Sequence, residues 1–269
     1  MSLRATSFSG FGIRAGRRIN LSVSSSENDY VLYDKLSAAG HNPGSATLGG
    51  GLTIIRSVCA NAIFLGSTDT GHAAVRTHDG DTYGAGWAEA DWQIITEGTD
   101  TATIEGKGGA GGTGSDFSTG SGEEFGGGGG GGAGTQVGAA GLKGGVGAND
   151  GNPGTASTGG TGGTKGGPAA GVDGGSAGGA GGVALEASSG GPNITLRPEI
   201  GATLRVWGGG GGGGGGFDNT GGTGGGPGLD GNADASATNP GGANGNAYST
   251  PGAATITETG PGTIDDRGT

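Results

Sequence analysis

Three histidines, His41, His72 and His78, are the side chains of this sequence best suited to metal binding or proton transfer. His72 and His78 lie near Asp69, Asp79 and Asp81, a set that could hold a metal ion or activate a water. Zinc-type sites use repeated His and Cys spacings such as H-x-x-x-H, and none occurs here. The competing reading is a polar loop that these residues merely decorate. No nucleophile and base fall into a legible pair, so the expectation is a protein without catalytic residues.

Glycine motifs mislead in such a chain, because glycine tracts generate G-x-G-x-x-G by chance. A phosphate loop needs Gly-Lys followed by Ser or Thr, and the sequence offers Gly106-Lys107-Gly108. Two stretches, Gly111 to Asp116 and Gly225 to Asp230, match the G-G-x-G-x-D start of calcium nonapeptides. Each fails two places after the Asp, at Ser118 and Asn232, and neither repeats in tandem. No cofactor and no metal are expected.

The formal net charge of −11 opposes general nucleic-acid binding, which needs clustered Lys and Arg. One basic patch exists: no acidic residue precedes Glu27, whereas Arg4, Arg14, Arg17 and Arg18 all do. These arginines form either a solvated edge or a candidate docking surface for an acidic partner. The lone Cys59 sits in the apolar run Ile54 to Cys59 and reads as a small buried hydrophobe. No segment approaches ~20 apolar residues, and no secretion signal is evident, so the chain is expected neither to insert in a membrane nor to be secreted. Work outside the cell would then be reached by assembly into a particle.

Composition divides the elements that must position these residues. Only 14 of the 76 glycines lie in residues 1–105, and 8 of the 13 aromatic residues are there too. Residues 1–105 therefore read as a mainly β attachment domain. Arg18 to Val23 alternates as a half-buried strand does, 52–58 and 62–65 supply two apolar bursts, and 92–96 and 99–104 read as further strands. Residues 29–39 predict a short helix capped by Asp29 and closed by Gly40.

Beyond residue 105, glycine clusters recur with a period of three, as in 108–114, 159–163 and 178–182. A disordered linker is the compositional default for such tracts. Three features oppose it: apolar interruptions at Val137, Leu142, Val146, Val172, Val183 and Leu185, a strand-like segment from Asn193 to Trp207, and glycine runs at 126–132 and 208–216. Collagen needs abundant proline and an unbroken Gly register, whereas only nine prolines occur here and the register slips. The remaining expectation for 106–269 is a glycine-rich bundle of polyproline-II-like (polyglycine-II) helices, held by lateral N–H···O bonds, with exposed connecting loops.

Two places carry a resemblance. Ile63 to Thr70, Ala73-Ala74-Val75, Gly86-Trp87 and the run Ile104 to Gly112 closely resemble the glycine-rich module of tail-tip and fibre proteins of tailed phages. Asn28 to Leu32 with Ala38-Ala39-Gly40 is similar to the stretch before that module. Leu204-Arg205-Val206-Trp207 feeding Gly208 to Gly216 is similar to the receptor-recognition adhesins of T-even-type long tail fibres. The resemblance implies a polyglycine-II sandwich whose loops contact host outer-membrane proteins or surface glycans. It also implies other tail or fibre proteins as partners, a distal position on the virion, and either a monomer or a homotrimer.

Candidate receptor-binding residues are those between glycine runs: Asp116, Phe117, Glu123, Glu124 and Phe125; Phe217, Asp218, Asn219 and Thr220; and, within 232–248, Asn244, Asn246 and Tyr248. Short polar groups and aromatic faces suit sugar or loop contacts. Three function classes stay open at this point: a receptor-binding adhesin, a structural cap or spacer of the tail tip, and an ice-binding protein. The last is suggested by Thr155, Thr158, Thr161 and Thr164.

Overall fold

The structure is a computed structural model that describes residues 17–41, 52–66, 72–80, 90–119, 122–133, 137–143, 148–155, 158–164, 175–217 and 219–268. Short strands follow one another in rungs. The first rung is β1 (Arg17–Val23), β2 (Ser26–Asn28) and β3 (Tyr30–Val31), followed by the helix α1 (Leu32–Ala38). The second is β4 (Leu52–Cys59), β5 (Ile63–Leu65) and β6 (Val75–Arg76), and the third begins with β7 (Asp91–Thr96) and β8 (Thr101–Glu105). A hairpin, β9 (Asp116–Thr119) and β10 (Gly122–Phe125), interrupts before β11 (Leu185–Glu186) completes that rung. The fourth holds β12 (Ile194–Pro198), β13 (Thr203–Trp207) and β14 (Tyr248–Ser249), and β15 (Ile256–Glu258) and β16 (Thr263–Arg267) end the chain.

Corresponding strands of successive rungs pair in parallel and stack into three sheets. Sheet A has the order β1-β4-β7-β12-β15, sheet B β16-β13-β8-β5-β2, and sheet C β14-β11-β6-β3. The result is a three-faced solenoid. Its core is built from columns in register, one being Ile19, Ile55, Trp92, Ile194 and Ile256 down sheet A. Phe64, Ile104 and Val206 form another down sheet B. Alternate residues of each strand point inward, so β-branched and aromatic residues at period two fill the interior. Inside this core the Ser57 hydroxyl meets the Tyr30 hydroxyl and accepts from Trp92 Nε1, both at 3.1 Å.

Two expectations about local structure change. The helix α1 forms and Gly40 follows it at φ 79°, but Val31 takes the N-cap place with no side-chain bond. Asp29 instead pairs with Arg76. The segment 193–207 is two strands, because Gly201 at φ 86° turns the chain from sheet A to sheet B. Sheets A, B and C all run across residue 105, so that position marks a change in composition inside continuous sheets.

The larger correction concerns 106–269. The expected bundle of polyproline-II-like helices is overturned: the protein is mostly parallel β-sheet, and α1 is its one helix among the described residues. The reason lies in the interruptions. Strands β11 to β16 extend sheets that the first half began, and the glycine segments are excursions between sheet B and sheet C. One excursion leaves β8 and returns at β11; the other leaves β13 and returns at β14.

Within the excursions the backbone groups are satisfied laterally. Every N–H from Gly208 to Gly216 donates, in order to the carbonyls of Arg267, Gly182, Ala133, Leu229, Gly179, Gly130, Asn232, Ser176 and Gly127, at 2.7–3.0 Å. Every carbonyl of the same run accepts, that of Gly215 from Asn239 Nδ2 and the others from backbone N–H groups. Partners within any one neighbouring segment recur every third residue, as in Gly109, Gly112 and Ser115 donating to Gly210, Gly213 and Gly216. A Cβ anywhere in 208–216 would come within 3.0 Å of a neighbouring carbonyl oxygen. Bare backbone is therefore the only material that fits, and buried polar groups are paired as they must be.

Gly213→Ala places its Cβ against the backbone of Gly222 and Thr223, while Gly179→Ala meets only Ala110 at 3.1 Å or more. The first is expected to cost about 3 kcal/mol by overpacking and the second under about 1 kcal/mol, as read from urea unfolding midpoints.

Burial raises the Tyr30 hydroxyl from 10.0 to about 12 and the Cys59 thiol from 9.0 to about 12. The unfolded chain releases these protons first, so their contribution is complete below about pH 9 and is lost as pH rises toward 12. Unfolding midpoints are expected to be lower near about pH 10.5 than near about pH 8.

Candidate functional site

The glycine excursions carry loops away from the sheets. Residues 106–115 lead from β8 to the β9–β10 hairpin, and 126–133 return from it. The run 208–216 leads from β13 to Phe217. These segments are cross-linked where they end. Ser115 N–H donates to the Gly216 carbonyl at 3.0 Å, Gly126 N–H to the Ser115 carbonyl at 3.0 Å, and Gly127 N–H to the Asn219 carbonyl at 3.1 Å. The Ser115 hydroxyl also donates to the Phe217 carbonyl. Thus the hairpin 116–125 and the segment 217–220 sit side by side at one end of the glycine lattice.

A third loop, 233–239, joins them through Asp234. That carboxylate is 4% exposed and accepts three backbone N–H bonds, from Phe217 at 3.2 Å, Thr238 at 2.7 Å and Asn239 at 3.0 Å. Such charge-assisted bonds fix a loop more firmly than neutral ones. Asn219 Nδ2 reaches the Ser236 hydroxyl, and Ala235 N–H donates to the Thr220 carbonyl at 3.2 Å. Asn239 is buried, with its amide on the Gly215 carbonyl. Asp234 and Asn239 lie inside the stretch 232–248 singled out from composition, yet neither was a candidate. The available signal was the spacing Asp-x-x-x-Thr-Asn, in which an Asp can accept backbone N–H groups a few residues on.

The sequence-derived candidates divide accordingly. Asp116 and Phe117 lie on β9, with Glu123, Glu124 and Phe125 on β10, in the register Glu124 opposite Phe117 and Phe125 opposite Asp116. Phe217 and Asn219 are half-buried at the same end, and Thr220 is exposed there. Asp218 lies outside the described residues. Asn244, Asn246 and Tyr248 are elsewhere. Asn244 N–H caps Asp230 at 2.7 Å, Asn246 is exposed and its carbonyl accepts from Ala184, and Tyr248 belongs to β14, where its hydroxyl donates to Glu258 at 2.6 Å. Desolvation first, and then the Glu258 contact, raises the Tyr248 hydroxyl well above its ordinary value.

Of the basic candidates, Arg17 begins β1 and Arg18 is exposed on it, at the edge of sheet A; Arg4 and Arg14 lie outside the described residues. Of the set named with the histidines, Asp69 and Asp81 lie outside the described residues, and no group of three or more His, Cys, Asp or Glu suited to a metal occurs among the described ones. Of the threonine array, Thr155 bonds Thr158 while Thr161 and Thr164 accept from Asn152 and Asn149. Among the described residues no helix is long and apolar enough to cross a membrane.

The loop cluster has one electrostatic sign. It holds Asp116, Glu123, Glu124 and Asp234, and no Lys or Arg occurs between residues 108 and 142 or between 206 and 266. The arginines of β1 lie on the edge strand of sheet A.

The fold is similar to the gp37-gp38 adhesin tip complex of the bacteriophage S16 long tail fiber. The likeness spans 94% of this chain and 82% of that one, at 17% identity and a TM-score of 0.41. Neither a protein-family model nor a curated protein matches the sequence.

Asp234→Ala removes the acceptor shared by three N–H groups and is expected to destabilise the loop by about 1–3 kcal/mol. Hydrogen exchange should then quicken at Phe217, Thr238 and Asn239 while the sheet amides keep their protection.

Proposed function

We propose that this chain is a non-catalytic tip protein of a phage tail fibre, placed at the distal tail of the virion, which recognises the host through the loops 116–125, 217–220 and 233–239. One observation carries the reading: Ser115 and Gly127, which flank the hairpin, bond to Gly216, Phe217 and Asn219, and Phe217, Asn219 and Thr220 bond in turn to the loop 233–239, so the three connections meet at one end of a lattice of bare backbone. The lattice itself offers no side chains for recognition, so chemical variety concentrates in its connecting loops. The resemblance of Leu204 to Gly216 to T-even-type adhesins supports the same assignment.

The partner on the host is an outer-membrane protein or a surface glycan. Because the loop cluster is acidic, it suits a surface that presents Lys or Arg. We assign attachment to other tail or fibre proteins, by one copy or by a homotrimer, to β1, an edge strand of sheet A among the described residues that carries exposed Arg18.

The test replaces residues 116–125 and 217–220 by Ser-Gly linkers of equal length in assembled phage. Adsorption to host cells is expected to fall by about tenfold or more, since a few central residues dominate such interfaces, while particle yield is unchanged. Undiminished adsorption would instead assign the chain to a spacer of the tail tip.

A further inference from the structure

Sheets B and C are joined within each rung, and the rung that follows closes the joint. Asp29 and Tyr30 N–H donate to the Leu65 and Ala74 carbonyls, Gly66 and Ala74 to Glu105 and Val183, and Gly106 and Ala184 to Trp207 and Asn246. The excursion 208–247 is closed in the same way, but by two consecutive residues. Gly208 N–H donates to the Arg267 carbonyl at 2.8 Å and Ala247 N–H to the Gly268 carbonyl.

This excursion makes four passes. Residues 208–216 run out from β13 and 239–247 run back to β14, while 219–226 and 229–235 lie between them. The two middle passes carry the loops 217–220 and 233–239 at their far ends. Their near ends meet in the turn 226–229, where Leu229 N–H donates to the Gly226 carbonyl at 2.9 Å, and no strand is attached to this turn. Glycine segments bonded at every third residue specify their register weakly, because a shifted segment presents the same groups to its neighbour. A contact that does not repeat must therefore fix where the turn sits.

Arg267 and Gly268 supply that contact. Gly228 takes φ 68°, and a Cβ on it would lie 2.7 Å from the Arg267 carbonyl carbon and from Gly268 N. Its N–H donates to the Gly208 carbonyl at 2.7 Å, which ties the turn to the start of the excursion as well. Gly268 is buried at φ 94°, and a Cβ on it would strike the Gly245 carbonyl oxygen and lie 3.3 Å from Gly228 Cα. The Arg267 guanidinium carbon is 4.3 Å from the centre of the Trp207 ring, a cation–aromatic contact that holds the seat against β13.

The geometry points to a register stop: Arg267 and Gly268, at the end of β16, seat the turn 226–229 and so set where the loops 217–220 and 233–239 stand, whatever those loops bind. Among the described residues β16 pairs on one side only, with β13. It follows 106–247 in the chain, so the loops take their final place once it has docked.

The test is hydrogen exchange of the full chain, followed by NMR, in Gly268→Val. Valine there collides with the Gly245 carbonyl and disfavours φ 94°. Exchange at Phe217, Ala235 and Asn239, all in the far loops, is expected to quicken about tenfold or more, while sheet A amides keep their protection. Quickening confined to Gly208, Gly228 and Ala247, the amides around the seat, overturns the register stop. Should sheet A lose protection as well, Gly268→Ala, which adds a single methyl group at the same point, is read instead. In that variant, far loops that keep their protection, or that lose no more of it than sheet A does, overturn it likewise.

Discussion

Lateral hydrogen bonding between bare backbones is the constraint on which the rest of the molecule depends. In an ordinary domain, apolar side chains drive the interior together and backbone groups are satisfied as a by-product. Around Gly208 to Gly216 the order is reversed: the nine donors and nine acceptors are all engaged, and no side chain larger than hydrogen fits. Glycine loses the most conformational freedom on ordering. The saturated network must offset that loss, supported by close Cα–H···O approaches, each of which is individually weak.

The solenoid makes this arrangement possible. Both excursions begin at the end of sheet B and finish at the start of sheet C, so the ends of the glycine segments are held by strands already in register. Closing a long loop between fixed ends costs only slowly more with its length. The columns through Trp92 and Ile104 thereby set the spacing from which the glycine segments start, and the loops inherit their position from two unlike interiors, one greasy and one polar.

Legibility in the sequence followed the physics of each part. Strands with clear alternation, such as 18–23 and 92–96, were visible because one face is buried. Their parallel stacking was not, since β3, β6, β11 and β14 are two residues long and leave no periodic trace. The bundle expected after residue 105 failed because the strand-like segment 193–207, visible as such, carries no local sign that Ile194–Leu196 and Leu204–Val206 pair about a hundred residues earlier with Trp92–Ile94 and Ala102–Ile104. Among the loops, Phe217 and the hairpin residues could be singled out by contrast with their surroundings. Asp234 has a local trace only in its spacing to Thr238 and Asn239, whereas its bond to Phe217, 17 residues away, leaves none. Tyr248 had the composition of a loop residue yet pairs with Leu185 in sheet C.

The direction of the glycine run has a mechanical consequence. Gly208 to Gly216 extends from the end of β13 to Phe217, and its bonds to neighbours lie across that direction. A pull on the loops along the run loads these bonds in shear, all at once, where peeling would break them singly. Tension between the loops and the solenoid is therefore spread over many weak links in parallel, and the lattice acts as a tendon as well as a pedestal.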